Sequence, residues 1–245
     1  MKKFLWICAI AVTLISCQFS ETMILNEDGS GTINVAVDLS EMMAFGGAAL
    51  ADSLPMKMDT IIYMKQFLEE KKDSISQLSA LEQKKLKDLE NFNLGIKMDS
   101  ETSEMTYSIS TNFKNIGEAN NLMNGLEKIA SLTPSLDSGS DGKNEGSSQD
   151  VIGVDYSFNN GIFKRDAYIK DALRHKSEVD SLKNTEAFLS SSIFKLKYTF
   201  PKKISKTSNP EATFSADRKT VMVEEPFIAY FKNPNLLDLE VILEK

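Results

Sequence analysis

The chain has 245 residues, 42% of them apolar and 26% charged, with 28 Lys+Arg against 35 Asp+Glu. That balance suits a folded globular chain. The formal charge of −7 offers no basic face to a phosphate backbone and argues against nucleic acid as a partner. One histidine, His175, and two cysteines are too few for a histidine-rich metal centre or a disulfide framework. Neither a metal nor a cofactor is expected.

Lys2 and Lys3 precede an apolar run from Phe4 to Ile15. The run falls short of the roughly 20 residues that span a bilayer, and a basic start with a short apolar core describes a secretory signal peptide. Leu14-Ile15-Ser16-Cys17 resembles the bacterial lipobox. The resemblance implies cleavage between Ser16 and Cys17 and a diacylglyceryl group, commonly with palmitate, on Cys17. Of 245 residues, the 16 of the signal are lost and 229 remain. Cys8 leaves with the signal, so no free thiol remains. Loss of Lys2 and Lys3 leaves 26 basic residues against 35 acids, a net charge of −9. Acyl chains, not a basic patch, then hold the protein to the membrane. Gln18 stands where an aspartate would resemble an inner-membrane retention signal, which favours the outer membrane, facing the periplasm. Glu21 is the single acid just after Cys17, and the cell surface stays open as the alternative.

Thr22-Met23-Ile24-Leu25 reads as a strand, Asp28-Gly29-Ser30-Gly31 as a turn, and residues 31–39 as a second strand with Ile33, Val35, Val37 and Leu39 on one face. The glycine cluster lacks the Gly-Lys-Ser/Thr ending of a phosphate loop. Asp38 and Glu41 then open a soft helical stretch containing Met42, Met43 and Phe45, interrupted by Gly46-Gly47. Met42, Met43 and Phe45 are the candidate ligand-facing flap, with a frayed helix over a sheet edge as the alternative. The apolar spacing predicts helix from Asp59 to Phe92, with a break near Leu78 and a capping box at Ser79–Glu82. Alternation over residues 92–98 and 105–113 predicts a second hairpin, and Ile116 to Ile129 a further helix. Residues 133–150 read as a flexible acidic Gly/Ser-rich loop. Their Asp137, Asp141 and Gly142 touch a calcium-loop pattern that Gly139 and Ser148 break.

After the loop, Ile152, Val154, Tyr156 and Phe158 form the core side of a strand. Asn159-Asn160-Gly161 turns it into Ile162–Arg165. The pattern predicts helix over 166–189, with His175 solvated between Arg174 and Lys176. Phe194, Leu196, Tyr198 and Phe200 alternate along a half-buried strand, and residues 219–225 and 236–243 supply two more. The expected fold is α+β: an antiparallel sheet built from hairpins, with amphipathic helices packed on one face. The expected organisation is a signal peptide over 1–16 and a single domain over 17–245.

Residues 196–223 (LKYTFPKKISKTSNPEATFSADRKTVMV), together with the early Asp28-Gly29-Ser30-Gly31, resemble a pattern found in LppM-like bacterial lipoproteins, with Met222 where that family often carries Trp. The resemblance implies a membrane-tethered extracytoplasmic α+β domain that binds lipid or glycolipid, and it carries over no catalytic residues. No Gly-x-Ser-x-Gly elbow, Walker, Rossmann, zinc or haem pattern is present. The leading expectation is a non-enzymatic envelope lipoprotein binding a lipid, a glycolipid or a partner protein. The alternatives are an envelope-polymer hydrolase using dispersed carboxylates and a structural subunit of a surface assembly.

Overall fold

The computed structural model describes residues 18–41, 43–44, 57–87, 89–120, 151–184 and 186–245. Its first hairpin follows from the sequence alternation. Strands β1 (Gln18–Leu25) and β2 (Gly31–Asp38) pair antiparallel, from Gln18 opposite Asp38 to Leu25 opposite Gly31. In the turn, the Asp28 carboxylate accepts hydrogen bonds from the Ser30 amide (2.9 Å) and hydroxyl (2.6 Å), and the Ser30 bonds hold its pKa below the usual carboxylate value. Gly29 takes φ +81°, a left-handed conformation that favours glycine. Eight extended residues place this turn about 25 Å from Gln18, at the far end of β1 from the expected lipid.

β3 (Lys57–Tyr63), β4 (Phe92–Asp99) and β5 (Glu104–Phe113) extend this sheet, with β5 beside β2 and β3 at its edge. The β4–β5 hairpin matches the sequence reading, with Ile96 opposite Tyr107 and Leu94 opposite Ile109. β3 does not: residues 59–63 were expected to be helical. Thr60-Ile61-Ile62-Tyr63 is a β-branched and aromatic run, and pairing with β4 outweighs its accidental helical spacing. Helices α1 (Met64–Glu70), α2 (Lys72–Ser76) and α3 (Ala80–Lys87) follow. The break falls near Leu78, and the capping box forms: Ser79 and Glu82 exchange hydrogen bonds between side chains and backbone amides. Residues 116–120 are helical as expected; the remainder of that expected helix, to Ile129, and the expected loop at 133–150 lie outside the described residues.

The sheet is completed from the other end of the chain. β8 (Ile193–Thr199) lies parallel to β1, and β11 (Thr220–Pro226) and the short β10 (Thr213–Phe214) follow, giving the order β10-β11-β8-β1-β2-β5-β4-β3. Where the sequence suggested one sheet, four strands form a second, ordered β6-β7-β12-β9: β6 (Ile152–Asn159), β7 (Ile162–Ile169), β9 (Ile204–Thr207) and β12 (Leu239–Leu243). Asn160 (φ +52°) and Gly161 (φ +75°) make the tight β6–β7 turn. Residues 166–169 continue β7 rather than starting a helix, because the whole of β6 is available to pair with them. Helix α4 (Ala172–Ser181) begins later, capped by the Asp171 carboxylate on the amides of Leu173 and Arg174. The 3-10 turn at Leu182–Asn184 and α5 (Glu186–Leu189) lead into β8. Helix α6 (Phe227–Lys232) and a second 3-10 turn (Pro234–Leu237) lead into β12.

The two sheets bury a common core. Met23, Leu25, Ile33, Leu196 and Tyr198 of the large sheet meet Val154, Tyr156, Phe163, Leu239 and Val241 of the small one. Phe163 sits edge-on to Tyr198 and Phe200, each with ring centroids 5.3 Å away. The expected core side of β6 (Ile152, Val154, Tyr156) is buried. His175, expected to be solvated, is also buried, and its Nε2 donates to the Phe231 carbonyl at 2.7 Å in the tautomer that satisfies both groups. His175, Val179 and Leu182 turn the inner face of the helix toward α6, leaving Leu173 exposed.

Candidate functional site

Of the residues singled out from the sequence, Ser16, Cys17, Met42 and Phe45 lie outside the described residues. Met43 lies in a helical turn and is buried against Met98 and Met105, with Leu39, Met58 and Tyr107 around them. This methionine cluster occupies the end of the large sheet at which β1 begins. Asp38 turns the chain there: its carboxylate accepts from the Ser40 amide and hydroxyl, and the Ser40 hydroxyl in turn accepts from the Met105 amide.

The methionine cluster and the main core are separate bodies of buried side chains. Between them the inner face of β2, β5, β4 and β3 carries a seam of half-buried apolar residues: Val37, Tyr107 and Ile96 in one row, Ile109, Leu94 and Ile62 in the next. Burial raises the pKa of the Tyr107 phenol above its ordinary value. Along β1 itself the same face is closed, because Phe19 stacks on Phe227 of α6 at 4.1 Å between ring centroids. The seam is thus an apolar surface left partly wet, close to the residue that follows Cys17. These six partly buried side chains lie in two rows across four strands, with Ile62, Leu94 and Ile109 packed against the main core and Tyr107 against the methionine cluster.

The second concentrated feature is a charged group sealed in the core. Glu21 of β1 is fully buried and its Oε2 lies 3.1 Å from Nη2 of the equally buried Arg165 of β7. Tyr156 donates to Glu21 Oε1 at 2.5 Å and Tyr198 donates to the same oxygen. Arg165 also donates to the Leu237 carbonyl at 3.2 Å and to the Tyr230 hydroxyl at 3.4 Å. Burial opposes the charge on Arg165, yet the adjacent Glu21 carboxylate raises its pKa well above the ordinary guanidinium value. Burial, and then the Glu21 charge, raise both the Tyr156 and Tyr198 phenols well above theirs, so both stay protonated donors. The cluster ties β1 and β8 of one sheet to β6 and β7 of the other. With no solvent access, it acts as a strut between the sheets rather than as a place for substrate. The sequence reading places Glu21 only as an acid near Cys17, the expected lipidation site.

Among the described residues no helix is long and apolar enough to cross a membrane, and no three His, Cys, Asp or Glu side chains converge to hold a metal ion. No protein-family model matches the chain, and no curated protein matches it. Among solved structures, the chain is similar to the folded domain of the LppM protein of Mycobacterium tuberculosis, at 8% identity and a TM-score of 0.42, over 93% of this chain and 89% of that one. The likeness is weak in both sequence and outline.

Proposed function

We propose that this protein is a lipid-anchored, non-catalytic component of the bacterial envelope, held by a diacylglyceryl group on Cys17, whose apolar seam seats a lipid chain. The observation that carries the reading is the seam itself, whose first row lies next to the methionine cluster at the end of the large sheet where β1 starts, one residue beyond Cys17. A short connection keeps the domain within reach of the bilayer, and a half-buried apolar face gains from contact with acyl chains at about 25 cal/mol per Å² covered. A net charge of −9 leaves the acyl group as the anchor. The outer membrane, facing the periplasm, is the favoured location.

Two measurements test this. Cys17→Ala should abolish incorporation of labelled palmitate and move the protein from the membrane to the soluble fraction. A soluble wild type, or a labelled mutant, would sink the anchoring. Native mass spectrometry of the Cys17→Ala chain should show co-purified phospholipid that is lost in Ile96→Asp. A Cys17→Ala chain free of phospholipid, or equal phospholipid with and without Ile96→Asp, would sink the seam as its seat.

A further inference from the structure

The outer face of the large sheet has a different chemistry from the seam. Paired residues across it run Tyr63, Asn93, Ser110, Asn34 and Thr22 on successive strands β3, β4, β5, β2 and β1. The neighbouring row holds Gly95, Ser108, Ala36 and Ser20. Small residues keep the surface low: the Ser108 side chain sits directly over Gly95, so close that any side chain added there would displace it. The exposed Ile61 stands at the β3 end of that row; beyond it the strip is rich in hydroxyls and amides, and the two rows meet Lys197 and Lys195 on β8.

At the β3 edge the strip opens into a cleft of about 440 Å³, between α1 and the turn before β4. Tyr63, Gln66, Glu69, Asn91, Asn93 and Asn112 line it. Tyr63 is 53% exposed, so one face of an aromatic ring is presented to solvent beside three asparagines. The remaining lining residues, Lys65 and Glu90, bring the charge to two acids against one base, which disfavours phosphate or sulfate. Two carboxylates without further ligands do not make a cation site. The lining has no aliphatic floor for a lipid chain. Amides that both donate and accept match vicinal hydroxyl pairs, and an exposed ring matches the C–H face of a pyranose.

We infer that this cleft and the strip beyond it bind a neutral glycan, with Tyr63 stacking on one sugar ring and Asn93 and Asn112 hydrogen-bonding its hydroxyls. The site lies on the opposite side of the sheet from the seam and does not depend on it.

The test is calorimetric titration of the full detergent-solubilised protein with cello-, malto-, manno- and xylohexaose. At least one should bind with a Kd of about 1 mM or tighter, the range open to a ligand of this size. Tyr63→Ala should weaken that binding about tenfold, whereas Tyr63→Phe, which keeps the ring, stays within about twofold. Asn112→Ala, at an exposed position, should weaken it about fivefold. Ile96→Asp in the seam should leave it unchanged. Absence of binding by all four hexasaccharides overturns the inference, as does binding that survives Tyr63→Ala and Asn112→Ala. Loss of palmitate labelling or of co-purified lipid bears only on the anchor and the seam.

Discussion

The inner face of the large sheet is apolar along its whole length, yet its two regions are finished differently. Where the small sheet lies across it, Met23, Ile33, Phe113, Phe163 and Tyr198 are almost completely buried, and even a carboxylate and a guanidinium are sealed in. Over β2–β5–β4–β3, toward the start of β1, Val37, Ile96 and Tyr107 are only partly buried, with Tyr107 packed against the methionine cluster. The alternation is the same in both regions. What differs among the described residues is the cover: no residue of the small sheet belongs to the methionine cluster or its surround.

The closed region is broken most severely through its charges. Arg165→Met should cost about 3–5 kcal/mol in urea unfolding, because it strands the Glu21 carboxylate in the core. Adding Glu21→Leu removes the stranded charge but should restore only part of the loss. The Tyr156 and Tyr198 hydroxyls then have no acceptor, at about 1–3 kcal/mol each. Adding Tyr156→Phe and Tyr198→Phe should recover most of the remainder. If Arg165→Met unfolds at the wild-type midpoint, the cluster is not the strut described. Phe163→Ala, between three aromatic rings, should cost a similar 3–5 kcal/mol by cavity formation.

Alkali tests the same region without mutation. The Tyr156, Tyr198 and Tyr230 phenols are raised in the folded state, first by burial. Above the ordinary tyrosine value, near pH 10, the unfolded chain loses protons that the folded one keeps. Stability is therefore intact below about pH 10 and falls above it, by up to about 1.4 kcal/mol per pH unit for each such tyrosine. Absorbance at 295 nm should show the buried Tyr156, Tyr198 and Tyr230 phenols ionising together on unfolding. Tyr156→Phe should flatten the alkaline loss. Independent, ordinary titrations of Tyr156, Tyr198 and Tyr230 would contradict the sealed cluster.

The hairpins were legible because turn chemistry and alternation agreed: Asp28-Gly29 and Asn160-Gly161 each sit between strands of period two. β3 and the second half of β7 were hidden because short runs such as Ile61, Met64 and Leu68 fit a helical stripe as well as a strand. Only the partner strand decides between them. The second sheet was hidden for a related reason. Strands β9 and β12 close on β7 through long-range pairing that local pattern does not encode. The buried ion pair left a trace in the sequence. Glu21 interrupts the apolar phase of Phe19, Met23 and Leu25, and Arg165 that of Phe163 and Ala167. A charge in the core phase of a strand demands a partner, but 144 residues separate this one from its own.

The seam gives the smallest stability effect and so the cleanest contrast. Ile96→Ser removes an apolar side chain that is only half covered, so little area returns to water and no sealed cavity forms. The cost should be about 1 kcal/mol or less, against several for Phe163→Ala at the other region. The Leu94–Ile109 and Met98–Met105 pairs on either side keep the strand pairing, which argues that the fold survives. On the anchoring proposed above, detergent extraction should nevertheless become easier if acyl chains cover Ile96, because the serine hydroxyl would enter hydrocarbon without a partner. A loss as large as that of Phe163→Ala would mean that Ile96 belongs to a closed core. Then the contrast between a finished and an open region would fail. A small loss with unchanged extraction would keep the contrast and remove the lipid from it.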